Sequence, residues 1–422
     1  MSDIADRKKL WMPDPRPEWV QRINEEGYCM NIRGIVPLDP DSLIASARLS
    51  TGLSDFGAED WREPFQALAY ALDGEEAALN LMGRIRSRSE LLMMLEARLR
   101  IEDAYKRHPE IDDEQIVQPF IVVGQGRAGT SFLVNTLGAN PENGVIKHWE
   151  AMFPCPPPEA ESYASDPRSA RGHELIDQWN RVTPKFKELH EFTGELPVEC
   201  AAILALNFNS PQWFNMLGQV PSYNAAVADL DVVPTLHYHK RVLKLLQWKN
   251  PRKHWAIKSV SHMDIMPEIL KVYPDACFIW PHRDPIKALA SAMNFIGTAH
   301  WGRSDFPLKD DSFDVVLDPK FSATRMEAAI DQLETGKVPK SQLCSILYRD
   351  LVSEPMATIQ HVYDYFGIEL TADGRAGISR YLAENPREVR PPHKVDKGSE
   401  AMIARDRETF RRYTEYFNIP DE

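Results

Sequence analysis

An apolar run, a glycine-rich turn and an amphipathic stretch follow one another between residues 119 and 137, and this order constrains the fold most. Residues 119–123 have the length and composition of a short buried strand, and residues 132–137 continue in a helical pattern. Between them, residues 124–131 read Gly-Gln-Gly-Arg-Ala-Gly-Thr-Ser. Because glycine lacks Cβ, such a turn can aim successive backbone N–H groups inward, and the following helix adds its positive dipole end. The stretch predicts a binding loop for a phosphate-like anion.

This loop matches the frame of a P-loop except at its cation. The pattern G-x-x-x-x-G is followed two residues later by Ser131, but Thr130 stands where the Walker lysine would be, and Arg127 is the only cation. A triphosphate site needs that lysine, whereas a guanidinium can hold a terminal phosphate or sulfate through two parallel hydrogen bonds. An ordinary turn between a strand and a helix is the alternative interpretation of the loop taken alone.

The alternation of short apolar runs with helical patterns continues along the chain. Candidate strands are residues 120–123, 144–147, 255–258, 277–280 and 343–348, each followed by a polar turn or a helical pattern. This pattern is typical of a parallel sheet wrapped by helices. We therefore expect an α/β fold with a P-loop-type central parallel sheet in residues 116–422. A helical, aromatic-rich insert is expected at about 149–253.

Residues 1 to about 115 predict a separate α-helical N-terminal region. Residues 41–49, 60–72 and 75–108 carry apolar side chains at spacings of three and four. Arginines alternate with these apolar positions in the last segment, namely Arg84, Arg86, Arg88, Arg98 and Arg100. The pattern predicts that these arginines form the solvated side of the helices, and a basic docking face is the alternative.

Composition narrows the class of protein. The 422-residue chain has a formal net charge of −13, which argues against broad non-specific binding of nucleic acid. Its five cysteines, without a C-x-x-C pair, predict reduced and mostly buried thiols. The polar start and the lack of any apolar run near ~18 residues predict a cytosolic protein without an integral membrane span. Nothing in the sequence indicates the oligomeric state.

Polar residues follow the predicted strands. His148, Trp149 and Glu150 follow the second strand, residues 258–262 end and follow the third, and residues 282–285 follow the fourth. Because ligands of open parallel sheets lie beyond the carboxyl ends of the strands, these side chains are expected at one edge.

Arg283 marks a second candidate anion site at this edge. Pro285 suits the first turn of a helix, whose N–H groups would face one anion together with Arg283, and Ser291 lies about two turns further on. Pairing of Arg283 with Asp284 in an ordinary turn is the alternative.

The order of these motifs resembles that of the sulfotransferases, in particular a bacterial subfamily with a helical N-terminal extension. Residues 126–131 resemble the family's 5′-phosphosulfate loop, commonly R-S-G-T-T or K-S-G-T-T, and Arg283 with Ser291 resembles its 3′-phosphate site. Lys258, which stands 25 residues before Arg283, resembles the family's lysine at the end of a strand. Further similar segments are residues 51–57, 101–103, 149–150, 258–262, 272–276 and 348–352, so the resemblance covers nearly the whole chain.

The resemblance implies a donor, 3′-phosphoadenosine 5′-phosphosulfate (PAPS), whose sulfuryl group moves to an acceptor hydroxyl or amine without a metal. Lys258 would stabilise the bridging oxygen as its bond to sulfur breaks, and Arg283 and Ser291 would hold the 3′-phosphate. The residues that would hold the 5′-phosphosulfate are Gln125, Gly126, Arg127, Ala128, Gly129, Thr130 and Ser131. Ala128 departs from the family's serine, which removes a hydroxyl but no backbone donor. Residues 390–397 match the family's basic C-terminal segment poorly and are interpreted as a loop.

The family offers two candidates for the base that removes the acceptor proton. Glu150 lies 23 residues beyond Arg127, near the separation of about 22 that some members show. His262 follows Lys258 by four residues, whereas cytosolic members place a histidine two residues after their lysine. Both assignments stay open, and a structural hydrogen bond or salt bridge is the alternative for each. His148 and His282 are expected to turn away from the edge, because side chains alternate along a strand.

The acceptor is expected to be a small hydroxylated molecule with a partly apolar body. Aromatic residues of the insert are candidates for its pocket, namely Phe153, Trp213, Phe214, His237 and Tyr238, although most large apolar side chains pack in a core. Two other classes of function remain open from the sequence. One is an ATP-dependent small-molecule kinase on the same scaffold, and the other is a non-catalytic nucleotide-binding scaffold protein.

Overall fold

Five short parallel strands form one sheet at the centre of the molecule. The computed structural model describes residues 11–189, 192–308, 318–386 and 399–421, without the side chains of 288–293. The strands are β1 (Phe120–Val122), β2 (Asn143–Gly144), β3 (His254–Lys258), β4 (Cys277–His282) and β5 (Leu343–Leu347). Their order across the sheet is β2-β3-β1-β4-β5, and every pair is parallel. The predicted α/β fold with a central parallel sheet is confirmed.

Helices cover both faces of the sheet and build the N-terminal region. The N-terminal helices are α1 (Glu18–Tyr28), α2 (Ile32–Ile35), α3 (Pro40–Thr51), α4 (Arg62–Asp73) and α5 (Leu81–Arg107). The helices between β1 and β3 are α6 (Thr130–Gly138), α7 (His148–Met152), α8 (Pro167–Val182), α9 (Lys185–Leu189), α10 (Ala201–Leu204), α11 (Pro211–Phe214), α12 (Pro221–Val227) and α13 (Val233–Gln247). The helices after β3 are α14 (Met266–Val272), α15 (Pro285–Trp301), α16 (Pro319–Glu334), α17 (Tyr348–Ser353), α18 (Pro355–Tyr365), α19 (Ala372–Glu384), α20 (Glu400–Thr409) and α21 (Arg411–Tyr416). Single 3-10 turns lie at Glu59–Trp61, Pro109–Asp113, Tyr163–Ser165, Ala205–Asn207, Val260–Ile265 and Lys340–Gln342.

The position of β1 between β3 and β4 brings the candidate residues together. Val122, the last residue of β1, lies opposite Lys258 of β3 on one side and Ile279 of β4 on the other. The loop after β1 therefore starts beside the end of β3, and β4 ends three residues further on, at His282. All residues of β1, β3 and β4 are buried, as expected for parallel strands that helices cover on both faces.

The second strand is shorter than predicted. It spans Asn143–Gly144 instead of 144–147, and Lys147 forms an isolated antiparallel bridge with Pro197. Val198 N donates to Ile146 O at 2.8 Å, so an extended segment of the insert takes the place of a longer β2. Its partner comes from about fifty residues downstream, which local composition does not reveal.

The N-terminal helices share a core with the rest of the chain. One hydrophobic cluster joins Leu95 and Leu99 of α5 to Leu206 of the insert and to Ile121 and Phe278 of the sheet. A second cluster on the other face of the sheet packs Phe120 and Ile279 against α6, α18 and α19. The division into 1–115 and 116–422 stays a prediction, and the two parts bury one continuous apolar surface.

The arginines of α5 overturn a prediction made from the sequence. Arg84, Arg86 and Arg98 are buried, so they form neither a solvated helix side nor a basic docking face. Arg84 donates to Val36 O at 2.9 Å and to Asp73 at 2.5 Å, while the partly exposed Arg100 pairs with Glu96 at 3.2 Å. The buried guanidiniums satisfy backbone carbonyls of the segments that cross α5, which helical periodicity alone does not show.

Arg98 gives a stability test for this core. Its guanidinium donates to Phe56 O at 2.7 Å, to Asn207 Oδ1 at 2.7 Å and to Ala58 O at 3.1 Å. Because Arg98→Met leaves these buried acceptors without a donor, we expect a loss of about 3 kcal/mol in the free energy of unfolding. Urea denaturation measures the loss. Arg100→Met, on the same helix but partly exposed, should cost less than about 1 kcal/mol, and equal losses would contradict the structural role of Arg98.

The cysteines, the lengths of the helices and the clusters of potential metal ligands were also compared with the sequence predictions. All five cysteines are free thiols; Cys200, Cys277 and Cys344 are buried, Cys155 is partly buried and Cys29 is exposed. Within the described ranges, no helix is long and apolar enough to cross a membrane. The same ranges contain no cluster of three or more His, Cys, Asp or Glu side chains that would hold a metal ion.

Candidate active site

The glycine-rich loop leads directly from β1 into α6. Gly124 (φ +106°) and Gly129 (φ +85°) adopt left-handed conformations, and a Cβ at these positions would lie 2.5 Å from the Trp280 ring and 2.8 Å from the Tyr348 ring. Both positions therefore require glycine. Gly129 is the N-cap of α6 and offers no side-chain acceptor, so the first-turn N–H groups remain directed at the loop. This geometry suits an anion, as the sequence predicts.

Lys258 ends β3 with its ammonium group beside this loop. Its Nζ donates to Ser131 Oγ at 2.9 Å and lies 3.1 Å from Glu199 Oε1. The lysine side chain is almost fully buried, whereas a quarter of the Glu199 side chain is exposed. A buried ammonium held between a hydroxyl and a carboxylate is a fixed positive charge at the edge of the loop.

Glu199 lies beside Lys258, and the sequence analysis did not identify it as a candidate. It belongs to the insert, and its backbone reaches the sheet because Cys200 N donates to Lys258 O at 2.7 Å. Gln212 orients the carboxylate, since its Nε2 donates to Glu199 Oε2 while its Oε1 accepts from Ser259 Oγ at 2.6 Å and from Ser261 N at 3.0 Å. The residue follows no strand of the sheet and has no motif spacing to Lys258, so no signal in the sequence pointed to it.

Arg127 and Arg283 lie next to each other on the other side of the loop. Arg283 Nη1 donates to Arg127 O at 2.9 Å, and Arg127 Nη1 donates to Leu189 O at 3.3 Å. Burial lowers the pKa of the Arg127 guanidinium, and the positive charge of Arg283 lowers it further. Arg283 also stacks on Tyr348, with its guanidinium carbon 4.1 Å from the ring centroid. Two mutually repelling guanidiniums beside a helix N-terminus favour a bound anion.

The remaining loop residues complete this cradle. Ala128 and Thr130 are buried, and a Cβ at Gly126 would meet only Val260, at 3.8 Å. Gln125 Oε1 is buried, and no hydrogen-bond donor reaches it within the described part of the chain. Ser291 lies in α15, but its side chain falls outside the described residues. Residues 390–397 also lie outside the described residues.

Glu150, one of the two predicted bases, lies at the start of α7 and caps it. Its carboxylate accepts from Lys147 N at 2.8 Å and from Tyr163 Oη at 3.0 Å. Burial raises its pKa, and the Lys147 N–H and the charge of Arg252 act in the opposite direction. The structure thus places Glu150 in a capping role and gives it no contact with Lys258.

His262, the second predicted base, lies in the turn after β3 and packs into the interior. Its ring is 6.4 Å from that of His239 on α13, and neither ring nitrogen finds a hydrogen-bond partner among the residues described. Burial lowers the pKa of His262 to about 3. The structure brings together Lys258, Ser131, Arg127 and Arg283 and leaves His262 outside this group.

His148 and His282 are both buried, but they occupy different surroundings. His282 Nδ1 contacts Tyr413 Oη at 3.1 Å in an aromatic cluster with Phe417. His148 Nδ1 contacts Leu196 O at 3.2 Å, and its pKa falls to about 4 because of burial and the charge of Lys258. The alternation of side chains along a strand does not apply to His148, because this residue begins α7 and does not extend a strand.

The aromatic residues of the insert divide between a cavity and the core. Phe153 and Trp213 line a cavity of about 510 Å³ next to α5. Phe214 and Tyr238 are buried in the hydrophobic core, and His237 is exposed. Two of the five candidates thus line this cavity, and the other three do not.

Comparison with known proteins identifies the family. The profile of the Sulfotransferase family matches residues 119–373, which include β1 to β5 and every candidate residue discussed above. The chain belongs to the sulfotransferase family. The match contains the loop at 124–131, Lys258 and Arg283 but excludes helices α1 to α5.

Two crystal structures show the same architecture for this sulfotransferase over most of its length. Sulfotransferase STF9 from Mycobacterium avium superposes with a TM-score of 0.77 and 24% identity, covering 90% of this chain and 97% of that one. Sulfotransferase STF1 from Mycobacterium tuberculosis H37Rv gives a TM-score of 0.74 and 28% identity, covering 88% of this chain and 98% of that one. The coverage shows that both share the helical N-terminal region as well as the sheet. No curated protein sequence matches the chain significantly.

Proposed function

We propose that this sulfotransferase moves a sulfuryl group from 3′-phosphoadenosine 5′-phosphosulfate to a hydroxyl, or less readily an amine, of a small acceptor. The observation that carries the proposal is the closeness of Arg127 and Arg283 at the loop that precedes α6, where Arg283 Nη1 donates to Arg127 O at 2.9 Å and the two positive charges repel each other. A donor with phosphate groups at both its 5′ and 3′ positions supplies two anions for two adjacent guanidiniums. Thr130 in place of a Walker lysine fits this donor better than a triphosphate with magnesium.

The residues of the loop fit the phosphosulfate. We assign the 5′-phosphosulfate to the N–H groups of residues 125–131 with Arg127, Thr130 and Ser131, and the 3′-phosphate to Arg283 and Ser291. The open space at Gly126 and the unsatisfied Oε1 of Gln125 support a ligand that approaches the backbone closely and brings a donor group. When bound, the donor supplies the sulfuryl group and an adenosine bisphosphate leaving group.

Lys258 is assigned to charge stabilisation at the leaving oxygen. Sulfuryl transfer places growing negative charge on the oxygen that links sulfur to phosphate, by analogy with phosphoryl transfer. The ammonium of Lys258 is held 2.9 Å from Ser131 Oγ, on the same loop as the assigned phosphosulfate site. Fixed in this way, it acts without the cost of reorganising at the moment of reaction.

For the proton of the acceptor, we propose Glu199 in place of Glu150 and His262. Glu199 combines a partly exposed carboxylate with contact to Lys258 and orientation by Gln212. Glu150 uses its carboxylate to cap α7, and His262 is enclosed in the interior. A general base must lie within hydrogen-bond reach of the proton that it removes, which favours the carboxylate beside Lys258.

Binding of the donor product tests this proposal without any knowledge of the acceptor. Adenosine 3′,5′-bisphosphate should raise the melting temperature of the protein, and ATP with magnesium should not. Arg283→Ala should lower the affinity for the bisphosphate by roughly 10- to 100-fold, because a charge-assisted hydrogen bond is lost. The affinity for adenosine 5′-phosphosulfate should fall less. Isothermal titration calorimetry measures both affinities.

Two matched variants control this experiment. Arg349→Ala removes an exposed arginine next to Tyr348 and should leave both affinities unchanged. Arg127→Asn, which keeps a residue tolerant of φ +67°, should weaken both ligands. Stabilisation by ATP with magnesium alone would favour a kinase, and equal losses for both ligands in Arg283→Ala would remove the 3′-phosphate assignment.

A further inference from the structure

A cavity of about 510 Å³ lies between the N-terminal helix α5 and the insert helices α7, α8 and α11. Its size falls within the range of about 300–1,000 Å³ that is common for small-molecule sites. The sulfotransferase match begins at residue 119, so α5 forms one wall of the cavity from outside the matched region. This cavity is separate from the loop and the arginines assigned to the donor.

The middle of the cavity is apolar and adaptable. Its walls include three methionines, Met93, Met94 and Met152, together with Leu175 and Leu206. Methionine is unbranched and polarizable, so its side chains adjust to apolar ligands of irregular shape. The cavity therefore suits a flexible or extended apolar body.

One end of the cavity carries polar atoms that lack partners. Here Arg86 stacks on Trp179, with 4.9 Å from the guanidinium carbon to the ring centroid. In the part of the chain that the structure describes, His148 Nε2, Trp213 Nε1 and Arg86 Nε are buried without a hydrogen-bond partner. Leaving such a group unsatisfied costs about 1–3 kcal/mol. A ligand with a polar group at this end would relieve that cost.

The cavity reaches the transfer centre, because Ala202, which lines the cavity, donates its backbone N–H to Glu199 O at 3.0 Å. The charge of Lys258 contributes to the low pKa of His148, which lines the cavity. Trp213 lines the cavity as well and directly follows Gln212, whose side chain holds Glu199. A hydroxyl placed at the inner end therefore lies toward Lys258 and Glu199.

The outer end carries a positive charge. Arg171 stacks on Phe153 at 4.3 Å, and no described carboxylate pairs with it. Arg168, by contrast, is held by Asp166 and by backbone carbonyls. Arg86 and Arg100 mark the two ends along α5, and fourteen helical residues span about 20 Å. The cavity is thus elongated, with the exposed Arg171 at the end away from the buried Arg86.

From these features we infer that the acceptor is an elongated amphiphilic hydroxy acid. This inference rests on the function proposed above and specifies the class of its acceptor. Its hydroxyl lies at the His148 and Trp213 end, its apolar chain along Met93 and Met152, and its acidic group at Arg171. The hydroxyl loses its proton to Glu199 and bonds to sulfur, while the bond from sulfur to the donor's bridging oxygen breaks.

Direct binding of ω-hydroxypalmitic acid, its methyl ester and the short ω-hydroxybutyric acid tests the inference. Titrated into the protein alone, the long acid should bind roughly 10-fold or more tightly than the ester or the short acid, because it alone gains both the apolar contact and the ion pair. Met93→Trp, which fills the cavity, should weaken the long acid by a similar factor. Arg171→Ala should weaken the long acid but not its ester.

Ala45→Trp, on the exposed face of α3, is the control for the added indole and should change no affinity. Stabilisation of each variant by adenosine 3′,5′-bisphosphate shows that it is folded. Equal affinities for the long acid, its ester and the short acid would overturn the inference, as would wild-type affinity in both Met93→Trp and Arg171→Ala. Failure of the proposed function appears separately, as absence of bisphosphate binding to the wild-type protein.

Discussion

Replacement of Lys258 with alanine is expected to lower kcat by roughly 100- to 1,000-fold, the usual effect of removing one preorganised donor from a transition state. The ammonium lies 2.9 Å from Ser131 Oγ and is almost fully buried, so water does not readily replace it. Because the charge that it stabilises develops only as the bond to sulfur breaks, the affinity for adenosine 3′,5′-bisphosphate should change far less than kcat. Steady-state kinetics with saturating donor and a calorimetric titration measure the two quantities.

Two further lysine variants make this test specific. Lys258→Arg keeps the charge and should retain part of the activity, although a guanidinium does not reproduce the geometry of an ammonium. Lys271→Ala, on the exposed side of α14, should behave as wild type. A Lys258→Ala protein that binds the bisphosphate and turns over at the wild-type rate would show that the lysine has no part in the reaction.

Glu199→Gln is expected to lower kcat by roughly 100- to 10,000-fold, the contribution of a positioned general base. Glutamine has the same shape and keeps an oxygen for the contact with Lys258, but it cannot accept the acceptor's proton. A purely structural role is separated from base catalysis by the choice of acceptor. A perfluorinated phenol is already ionised at neutral pH, so its sulfation should be nearly as fast in Glu199→Gln as in the wild-type protein.

Glu150→Gln and His262→Asn are the matched comparisons for this prediction. The amide oxygen of glutamine can still accept from Lys147 N, and asparagine keeps a polar group of similar size in the interior. Both variants should retain most of the wild-type kcat with ordinary alcohols and phenols. If either one is slowed with such acceptors and rescued with the ionised phenol, the base assignment moves from Glu199 to that residue.

The sheet was predictable because each strand carries a local signal. Short apolar runs followed by polar turns placed β1, β3, β4 and β5 within a few residues of their observed bounds. The exception was β2, whose extension is replaced by pairing of Lys147 with Pro197. That pairing joins residues far apart in the chain, so the local sequence pattern does not predict it.

The candidate site was predictable where its residues follow strands. Three elements meet at one edge of the sheet: the loop that contains Arg127, the end of β3 with Lys258, and the end of β4 followed by Arg283. They meet because β1 lies between β3 and β4, and the carboxyl ends of parallel strands share one edge. Glu199 was missed because the insert, and not a strand of the sheet, delivers it to Lys258. The assignment of Glu150 considered spacing but not capping, which uses its carboxylate at the start of α7.

The burial of arginines on α5 was also not predicted from the sequence. Spacing on α5 assigned Arg84, Arg86 and Arg98 to a solvated side, because charged side chains are almost never fully buried unless they are paired. Here their partners include backbone carbonyls of segments that pack across the helix, together with Asp73 for Arg84 and Asn207 for Arg98, and only the folded chain brings these groups within reach.

Helix α5 has a consequence for how specificity diverges among related enzymes. It contributes one wall of the cavity that we assign to the acceptor, yet it lies outside the region that identifies the family. Under the acceptor assignment proposed above, a substitution at Met93 is expected to alter which molecule is modified without changing the loop assigned to the donor. Two proteins with identical donor loops need not share an acceptor, and the first hundred residues are the place to look for the difference.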